Sequence, residues 1–473
     1  LKKNKFYSLI KIIILFFLIV VVYNWNFSIS DWIEKSVFYF PHITKIFILL
    51  FFFISFLVRG IYYPLKRKIH LKFLLPLNWI ITGLIGFLID LIKAPAYLYG
   101  SILPKFLLKK NNKYKNFSVI FYPKYANKSP SYRTRFLSYI NFFNDNGVNV
   151  TTKELFDENF YDSRIFKKKT YFLKIFKFYY LRIFDLIFRK KPFIAITHIE
   201  LLPHIPFLGE IILKLRKIPY IVDIDDAVYF RFKNKNKILF MIDKFKFNYM
   251  AANSAAILAG NQFHLNYFKQ ITDAVYYFPT TIDFKNYKIS KFVKKHSTFT
   301  IVWIGTPSTT FYLQSITGAL NKFKSVYNVN IKVIGADKSL ISDLNCTHVV
   351  WSQKTEIEEL LKSHLGIMPL LNSSWELGKC AYKILQYMSL KIPVIASPVG
   401  VNSDIITDNF NGLLATNNDE WFSKIYKLYQ DNNFREKISN NGYETSKKHF
   451  NLDDYKYPYL NILKNKIKSI KKQ

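Results

Sequence analysis

The chain has 473 residues, which is too long for one hydrophobic core and predicts two or three domains. Half of its residues are hydrophobic and 18% are aromatic, which excludes a disordered chain. The formal net charge of +36 indicates either attraction to an anionic partner or a general bias toward lysine. The lysines are scattered, and no zinc-ligand or helix-turn-helix pattern accompanies them. Both observations argue against nucleic acid as the partner.

Residues 1–110 are predicted to anchor the chain to a membrane. Apolar runs at about residues 9–27 and 44–60 approach the length of a bilayer span. Residues 73–108 are apolar but interrupted by charges and prolines, which favours a segment lying in the membrane interface over a third span. Positive charges precede the first run and follow the second, so both ends of this hairpin are expected in the cytoplasm. A cleavable signal peptide is the alternative for the first run, but no small-residue cleavage site follows it.

Strands and helices are predicted to alternate from residue 115 onward. Within residues 115–285, buried strands are predicted at "FSVIFYP", "VNVTTKELF", "PFIAITHIELLP", "IPYIVDIDDAVY", "SAAILAGN" and "AVYYFPTTID". This alternation predicts a parallel sheet with helices on both faces. Such sheets bind ligands at the carboxyl ends of their strands.

The alternation begins again after a lysine-rich linker. Within residues 297–430, strands are predicted at "FTIVWIGTPST", "VNIKVIG", "CTHVVW", "LGIMPLL", "IPVIASPVG" and "GLLA". Residues 431–473 are predicted to form helices that pack on this second half, with a return to the first half left open. The sequence therefore predicts an α/β protein with two Rossmann-like domains and a cleft between them, preceded by N-terminal transmembrane or interfacial helices.

One stretch of the second half, "WELGKCAYKILQYMSLKIPVIASPVG", combines charges in a pattern that an ordinary surface helix does not need. Lys379, Lys383 and Gln386 are spaced four and three residues apart, which places them on one face of a predicted helix. A helix N-terminus and two lysines suit a phosphate, and Glu376 in the preceding loop can accept hydrogen bonds from hydroxyl groups. Together these groups suit a nucleotide sugar. The alternative is a surface helix with solvated lysines.

The same stretch resembles the donor-binding segment of family 4 glycosyltransferases, which have the GT-B fold. The motifs "IDDAVY", "GNQFHLNYF", "PTTID" and "IVWIGTPSTTFYL" also resemble a membrane-associated bacterial branch of that family, in the same order. The resemblance covers about residues 118–450. It implies that a sugar is transferred from a nucleoside diphosphate sugar with retention of anomeric configuration, and that neither a metal nor another cofactor is needed.

The resemblance, together with the polar loops that follow the predicted strands of the first half, indicates three groups of candidate site residues. Glu376 and His198 are the candidate catalytic residues. The donor-binding candidates are Gly305, Thr306, Lys379, Lys383, Gln386, Gly400, Val401 and Asn402. The acceptor-side candidates are Arg133, Arg135, Asp225 and Asp226.

The chain departs from the family pattern at the acids. The family has two glutamates eight positions apart, whereas this chain has Gly378 and Gln386 at those positions. Glu376 is the nearest acid and is displaced by two residues. The basic residues that usually follow the first strand of the second domain are replaced by "GTPSTT", so backbone amides there, with Lys379 and Lys383, are expected to meet the diphosphate.

Each acceptor-side candidate has an alternative role. Arg133 and Arg135 either meet a lipid-linked phosphate or belong to a solvated basic loop. His198 is either catalytic or structural. The acids of "VDIDDA" either hold a metal or, as we expect, cap a helix or hold the loop.

The leading interpretation is a glycosyltransferase that moves a sugar to a lipid-linked or cell-surface glycan acceptor. We expect it at the inner membrane of a bacterium, in contact with membrane lipids, with its catalytic domains facing the cytoplasm, where nucleotide sugars are made. Its two cysteines, Cys346 and Cys380, exclude a disulfide framework and fit that reducing compartment. The alternatives are a membrane-tethered, degenerate GT-B binding protein and a sugar-nucleotide epimerase of the same fold.

Overall fold

The computed structural model describes residues 117–165, 172–287 and 295–472, together with parts of residues 50–86. The chain divides into two units, Leu1–Tyr114 and Lys115–Gln473. The described part of the first unit is helical. Its helical segments are a π-helical turn at Val58–Tyr62, short helices at Tyr63–Lys66 and Leu71–Leu74, and residues 78–86.

The membrane predictions fall largely on residues that the structure does not describe. The predicted span at 9–27 lies outside the described residues, as do residues 87–108 of the predicted interfacial segment. Of the predicted span at 44–60, the described residues are helical. Across the described parts of both units, no helix combines the length and the apolar character that crossing a membrane needs.

The first half of the second unit is built on a parallel sheet of six strands. These strands are β1 (Phe117–Tyr122), β2 (Val148–Thr152), β3 (Ile194–His198), β4 (Tyr220–Ile224), β5 (Ala256–Ala259) and β6 (Val275–Tyr277). Their order is β2-β1-β3-β4-β5-β6, with every neighbouring pair parallel. All residues of β4 and β5 are buried, which is why they read as continuous apolar runs.

Helices connect these strands. They are α1 (Ser138–Asp145), α2 (Glu158–Ile165), α3 (Phe172–Phe188), α4 (Leu208–Leu215), α5 (Lys237–Asn253) and α6 (Gln262–Lys269). Before α1, the chain passes through a helical turn at Pro130–Tyr132 and a π-helical turn at Arg133–Leu137. The side chains of Asn236 and Asn261 cap the N-termini of α5 and α6.

The second half repeats this plan with another six-stranded parallel sheet. Its strands are β7 (Phe299–Ile304), β8 (Val329–Ile334), β9 (Thr347–Val349), β10 (Leu365–Met368), β11 (Val394–Ala396) and β12 (Leu413–Leu414). The order is β12-β11-β10-β7-β8-β9. Its helices are α7 (Phe311–Gln314), α8 (Thr317–Val326), α9 (Glu356–Leu361), α10 (Tyr382–Ser389), α11 (Val401–Ile405), α12 (Asn418–Gln430) and α13 (Asn432–His449).

The last helix, α14 (Leu452–Lys472), returns to the first half. Tyr459, Leu460, Leu463 and Ile467 are buried there in the same core as strand β1 and helix α1. The crossing is fixed by backbone hydrogen bonds that link Ile282 with both Phe450 and Leu452. The two halves are therefore joined by the C-terminal helix as well as by the linker.

The predicted α/β class with two Rossmann-like sheets is confirmed, and each of the twelve predicted strands is present. In each sheet the strand order reverses beside the strand that comes first in the chain, β1 or β7. The carboxyl ends of strands at such a reversal form a crevice, and this is where ligands bind in open α/β sheets.

Candidate functional site

A cavity of about 450 Å³ lies at the carboxyl ends of the two sheets. The first half contributes the loop after β1 and the acids after β4 to its wall. The second half contributes the loops after β7, β8 and β10 and the beginning of α10. Residues from both halves can therefore touch one ligand.

Lys383 faces this cavity without an acidic partner. It lies in the first turn of α10, and its Nζ is 4.4 Å from the ring centroid of Trp303. Among the described residues it makes neither a hydrogen bond nor an ion pair. Burial, and after it the charge of Lys379, lowers the pKa of Lys383 to about 7. A desolvated ammonium without a counter-charge is costly to the folded protein, so this position favours an anionic ligand.

Lys379 lines the same cavity from a loop. The prediction placed it on one helix with Lys383, but α10 begins only at Tyr382, because Ala381 adopts a left-handed φ of 50° and the backbone of Lys379 is extended. Lys379 Nζ donates to Asp226 Oδ1 at 2.9 Å. Burial opposes the charge of Lys379, but Asp226 outweighs it and the pKa of Lys379 is raised. Lys379 is thus already paired, unlike its neighbour.

The loop after β7 lines the cavity. Gly305 and Thr306 lie there, followed by a 3-10 turn at Pro307–Thr309. The Thr306 N–H donates to the Thr309 hydroxyl at 3.1 Å. A Cβ at Gly305 would come within 2.3 Å of the Trp303 ring and 2.8 Å of the Thr309 hydroxyl. Glycine therefore keeps this turn tight. The N–H groups of both residues are already used within the chain, since Gly305 donates to the Ile334 carbonyl oxygen at 3.0 Å, and this corrects the expectation that these amides meet the diphosphate.

Gln386 belongs to a hydrogen-bonded cluster that includes an acid. Its Nε2 donates to the Tyr287 hydroxyl at 2.8 Å, and the hydroxyls of Tyr287 and Tyr382 are 2.8 Å apart. The Tyr287 hydroxyl also lies 3.5 Å from Glu356 Oε1. Because Glu356, Tyr382 and Gln386 all line the cavity, a carboxylate lies close to the position where the resembling family has its second glutamate.

Glu356 is held by two residues that also line the cavity. Trp351 Nε1 donates to Glu356 Oε2 at 2.7 Å, and Arg133 Nη2 lies 3.7 Å from the same oxygen. The guanidinium of Arg133 stacks over the Trp351 ring at 5.0 Å. Burial raises the pKa of Glu356, although Arg133 opposes the shift. Arg133 thus reaches the cavity as predicted for an acceptor-side residue, but its nearest charged contact is an acid of the second half.

Glu376 lies next to the cavity, behind Tyr312. Tyr312 lines the cavity and donates its hydroxyl to Glu376 Oε1 at 2.6 Å, while the Ser373 hydroxyl donates to Oε2. Glu376 itself lines a second cavity, of about 380 Å³, together with Lys233 and Lys235. The hydrogen-bonded pair of Tyr312 and Glu376 therefore lies between the two cavities.

The glycine at position 378 has a steric reason. A Cβ there would come within 2.4 Å of the Ala227 Cβ and 2.7 Å of the Ala227 backbone nitrogen. Ala227 follows the acids of the first half, so the two halves are in contact at this point. This contact leaves no space for a glutamate at the position where the resembling family has its first one.

The loop that carries Gly378 is tied to the first half by hydrogen bonds. Asn261 Nδ2 donates to the carbonyl oxygens of Leu377 at 3.1 Å and Lys379 at 3.0 Å. His264 Nε2 lies 2.9 Å from the Gly378 carbonyl oxygen, and burial lowers the pKa of this histidine to about 4, so it is neutral near pH 7 and donates from Nε2. The motif "GNQFH" therefore positions the loop in which Lys379 lies.

His198 and Asp225 form a buried pair at the carboxyl ends of β3 and β4. His198 Nε2 and Asp225 Oδ1 are 2.8 Å apart. Burial disfavours the charge on each, but each charge outweighs that effect on the other, so the pKa of His198 is raised and that of Asp225 is lowered. Asp225 lines the cavity, whereas His198 reaches it only through Asp225. Asp226 also lines the cavity, where burial raises its pKa although Lys379 opposes the shift.

Arg135 lies in the interior of the first half, which corrects the expectation that it meets an acceptor phosphate. Its Nε donates to both carboxylate oxygens of Asp223 at 2.8 Å, and its Nη2 donates to the Phe278 carbonyl oxygen at 2.9 Å. Both side chains of the ion pair are almost completely buried. Arg135 therefore holds the sheet and the segment after β6 together, and it does not line the cavity.

Gly400, Val401 and Asn402 lie behind the loop at 377–379. Gly400 has a φ of 53°, and a Cβ there would come within 3.0 Å of the Leu377 backbone. Val401 and Asn402 are buried, and Asn402 Nδ2 donates to the Ser397 carbonyl oxygen at 3.0 Å. These residues, predicted to bind the donor, support the loop from behind and are not among the residues that line the cavity.

The acids at the end of β4 and in the loop after it are paired with basic side chains of this chain. Asp223 pairs with Arg135, Asp225 with His198, and Asp226 with Lys379. Within the part of the chain that the structure describes, no three His, Cys, Asp or Glu side chains are grouped in a way that could hold a metal ion. The arrangement therefore fits the interpretation in which these acids hold loops.

Sequence reasoning did not single out Tyr312, Trp351 or Glu356. Tyr312 follows the "GTPSTT" loop by two residues, and this closeness to a predicted phosphate loop was the available signal. Trp351 and Glu356 come from the loop and helix after β9, at the far end of the second sheet from β11. Nothing in their local spacing indicates that they approach Gln386.

Comparison with known proteins gives the context for this geometry. Residues 288–445 match the family model described as "Glycosyl transferases group 1". A comparison with curated proteins gave no match. Several solved structures share the fold at low sequence identity. One is Anabaena HepE in complex with UDP and glucose, with a TM-score of 0.59 and 11% identity over 74% of this chain and 100% of that chain. A second is a glycosyltransferase from Rickettsia africae, with a TM-score of 0.53 and 14% identity over 75% of this chain and 99% of that chain. A third is sucrose-phosphate synthase from Thermosynechococcus elongatus, with a TM-score of 0.54 and 10% identity over 74% of this chain and 98% of that chain.

Residues 288–445 are thus similar to the group 1 glycosyltransferases, and the two sheets together have the GT-B fold. The prediction of a glycosyltransferase is confirmed. The acceptor, the retention of configuration, the membrane location and the individual roles of the site residues stay predictions.

Proposed function

We propose that this glycosyltransferase moves a sugar from a nucleoside diphosphate sugar to a lipid-linked or cell-surface glycan acceptor, with retention of anomeric configuration. The observation that carries the proposal is Lys383. It lines a cavity between two Rossmann-like sheets, burial disfavours its charge, and among the described residues no acid pairs with it. The diphosphate of the donor supplies the missing negative charge.

The donor diphosphate fits against Lys383 and the loop after β7. Thr306 lines the same cavity, and its hydroxyl can donate to a phosphate oxygen while it accepts a hydrogen bond from Ser308. Lys379 is shared with Asp226 and contributes less free charge. This assignment gives the diphosphate a cation and a hydroxyl donor even though the usual basic residues after β7 are replaced by "GTPSTT".

The nucleoside fits the part of the cavity that contains Glu356, Trp351 and Gln386. A carboxylate accepts hydrogen bonds from ribose hydroxyls, and an indole ring offers a stacking surface for a base. Glu356 lies within 3.5 Å of the Tyr287 hydroxyl, to which Gln386 also donates. Glu356 therefore supplies the acid that position 386 lacks.

The transferred sugar is expected at the boundary between the two cavities. Glu376 lies there with Tyr312, and Asp225 and His198 lie on the side of the first half. A buried carboxylate at this boundary can accept hydrogen bonds from sugar hydroxyls. The acceptor then enters through the second cavity, where Lys233 and Lys235 suit its phosphate.

The chemistry expected of these residues is mainly electrostatic. When the bond between the anomeric carbon and the donor phosphate breaks, negative charge grows on the leaving diphosphate. Lys383 and the Thr306 hydroxyl stabilise that charge without moving. The acceptor hydroxyl passes its proton to an oxygen of the leaving diphosphate as the new glycosidic bond forms.

These domains are proposed to work on the cytoplasmic face of a bacterial inner membrane. The support is the charge distribution around the apolar runs at 9–27 and 44–60. A cysteine placed at exposed Lys354 should be modified by a membrane-impermeant reagent only after the cells are opened. Modification in intact cells would contradict the orientation.

The test of the proposed reaction is a donor screen with product analysis. HepE was solved with UDP and glucose, so UDP-glucose is the first donor to try. The full-length protein in membranes should release one nucleoside diphosphate for each sugar that appears on an extractable acceptor, and NMR of the product should show the anomeric configuration of the donor. Donor binding without any transfer would contradict the proposal and support a degenerate binding protein. Conversion of the free donor to an epimer would contradict it as well.

A further inference from the structure

The first half of helix α5 (Lys237–Asn253) exposes apolar side chains, while the helix buries two charged ones together with Phe247 and Met250. Its buried side includes the charged residues Asp243 and Lys246. Its solvent side carries Ile238, Met241 and Phe245, whose side chains are 70%, 61% and 64% exposed. The spacing of three and four residues places these three on one stripe, and a helix of a soluble domain normally buries such a stripe.

The buried charges explain why helix α5 cannot rotate about its axis to bury its apolar stripe. Lys246 Nζ donates to Glu200 Oε1 at 2.7 Å, and Asp243 accepts from Arg231 at 2.6 and 2.7 Å. Arg231 also donates to both oxygens of Glu200. Rotation of the helix would break this network and leave buried charges without partners, which is strongly unfavourable. The apolar stripe is therefore fixed toward the outside.

A neighbouring helix, α3, exposes apolar side chains in the same way. Phe176 and Tyr180, four residues apart on α3, are 66% and 50% exposed. Helix α4 connects the two: α3 lies beside α4, and Phe207, just before α4, contacts Phe245 of α5 with ring centroids 5.6 Å apart. We call the exposed residues Phe176, Tyr180, Ile238, Met241 and Phe245 the apolar face.

The exposed charges on the three helices that carry this face have one sign. Between residues 174 and 253, every aspartate and glutamate is at least partly buried. The exposed lysines in the same range are Lys174, Lys177, Lys190, Lys191, Lys214, Lys217, Lys233, Lys235, Lys237 and Lys244. Exposed Glu154 and Asp157 lie outside this range, before α2, which packs on α3 through Phe160 and Phe178. An apolar surface on helices that expose lysines and no acids is complementary to a layer with an apolar interior and an anionic surface.

We propose that the second unit, Lys115–Gln473, docks on an anionic lipid bilayer through this apolar face. Ile238, Met241 and Phe245 enter the headgroup region, and the lysines contact anionic headgroups with their stems along the apolar surface. A protein partner would need a surface rich in acids to match the lysines that α3, α4 and α5 expose. The proposal concerns residues 172–253 and is independent of the predicted anchor at 1–110.

Docking here has a consequence for the second cavity. Lys233 and Lys235, which line that cavity, immediately precede α5. If the proposed function is correct, the mouth of the acceptor cavity faces the lipid surface. A lipid-linked acceptor could then reach Glu376 without leaving the bilayer.

The experiment places a polarity-sensitive fluorophore on the full-length chain. Cys346→Ser and Cys380→Ser provide the background, with folding checked by thermal unfolding. Met241→Cys carries the label on the apolar face, and Lys354→Cys carries it on an exposed position of the second half as the matched control. Each protein is mixed with vesicles of phosphatidylcholine alone or of phosphatidylcholine with phosphatidylglycerol.

The label at position 241 should shift its emission to the blue with the anionic vesicles and be quenched by lipid-bound nitroxide, whereas the label at 354 should not respond. Lys237→Glu with Lys244→Glu should abolish the difference between the two vesicle types, and Lys338→Glu with Lys354→Glu should leave it unchanged. Equal responses at 241 and 354 would overturn the proposal. So would an emission at 241 that is already blue-shifted without vesicles, because the face would then be covered by this chain or by a second copy. Neither outcome would bear on donor turnover, which is measured separately.

Discussion

Lys383 is costly to the folded protein as long as no anion lies beside it. Burial and the neighbouring Lys379 both oppose its charge, and its Nζ contacts only an aromatic ring among the described residues. If Lys383 served only to pack the core, an uncharged side chain at this position would make the protein more stable. We therefore expect the charge to lower stability and to serve ligand binding.

Replacing Lys383 by methionine should stabilise the protein. Methionine keeps the length of the side chain and removes the desolvated charge, so the free energy of unfolding should rise by about 1–3 kcal/mol at pH 6. The gain should shrink toward pH 10, because the pKa of about 7 in the folded state lies below that in the unfolded chain, where the lysine keeps its proton to higher pH. Urea unfolding at several pH values measures this. A destabilised variant would show that Lys383 is a structural residue.

Nucleotide affinity should depend on pH through the same residue. A bound diphosphate raises the pKa of Lys383, so binding takes up a proton above pH 7 and the affinity falls as the pH rises. Between pH 7.5 and 9, the Kd should increase by up to about tenfold per pH unit. Calorimetry in two buffers with different ionisation enthalpies measures the proton uptake. Lys383→Arg, which stays charged, should remove this dependence, and a flat profile in the unmodified protein would contradict the assignment.

Glu376 should affect turnover and not nucleotide affinity. Glu376→Gln keeps the shape of the side chain but loses a charge-assisted hydrogen bond to the sugar, worth about 1.5–3 kcal/mol. At about 1.4 kcal/mol per factor of ten, turnover should fall by about 10- to 150-fold. Glu358→Gln, at an exposed acid of the same half, is the control and should leave turnover unchanged. Unchanged turnover in Glu376→Gln would remove this residue from the site.

At the scale of elements, the loop at 377–379 depends on α6 of the other half. Asn261 Oδ1 caps α6 by accepting from the His264 N–H, while its Nδ2 donates to the carbonyls of Leu377 and Lys379. One side chain thus begins a helix and holds the loop of Lys379. The two roles use different atoms, so they can be separated.

Asn261→Asp should break the contact between the halves and keep the helix cap. The new carboxylate still accepts from His264 but faces two carbonyl oxygens, so the free energy of unfolding should fall by about 1–3 kcal/mol and turnover should fall with it. Gln262→Glu, an amide-to-acid change at the next and exposed residue, should have little effect on either quantity. Thermal unfolding and turnover of the two variants compare them. If the two changes behaved alike, the loop would not depend on Asn261.

The same loop shows how far the sequence could lead. All twelve strands were predicted, and the signal was clearest for central strands such as β4, β5, β7 and β10, which are buried along their whole length. The edge strands β2, β6 and β9 are partly exposed. The start of α10 was placed too early, because nothing local indicates that Ala381 takes a left-handed conformation. Position 378 looked like a loss in the sequence, but the contact with Ala227 across the two halves explains it. Contacts between residues far apart in the chain, such as Gln386 with Tyr287 or Arg135 with Asp223, could not be predicted, because no local spacing pattern indicates them.

In the whole molecule, the two sheets share one proposed donor cavity. The halves are tied by the 377–379 loop and by α14, which buries Tyr459 and Leu463 in the first half. The cavity receives Arg133 and Asp226 from one half and Lys383 and Glu356 from the other. A ligand that carries a diphosphate on a nucleoside meets both.

The most direct test of the central claim is a calorimetric titration of the full-length protein with nucleoside diphosphates at pH 6.5. UDP is the first candidate and GDP, ADP and TDP are the comparisons. We predict that one of these nucleotides binds at a single site. The Lys383→Met variant should lose this binding and should unfold at a higher temperature than the unmodified protein. Binding that persists unchanged in the folded Lys383→Met variant would contradict the account, because the diphosphate would then lie elsewhere.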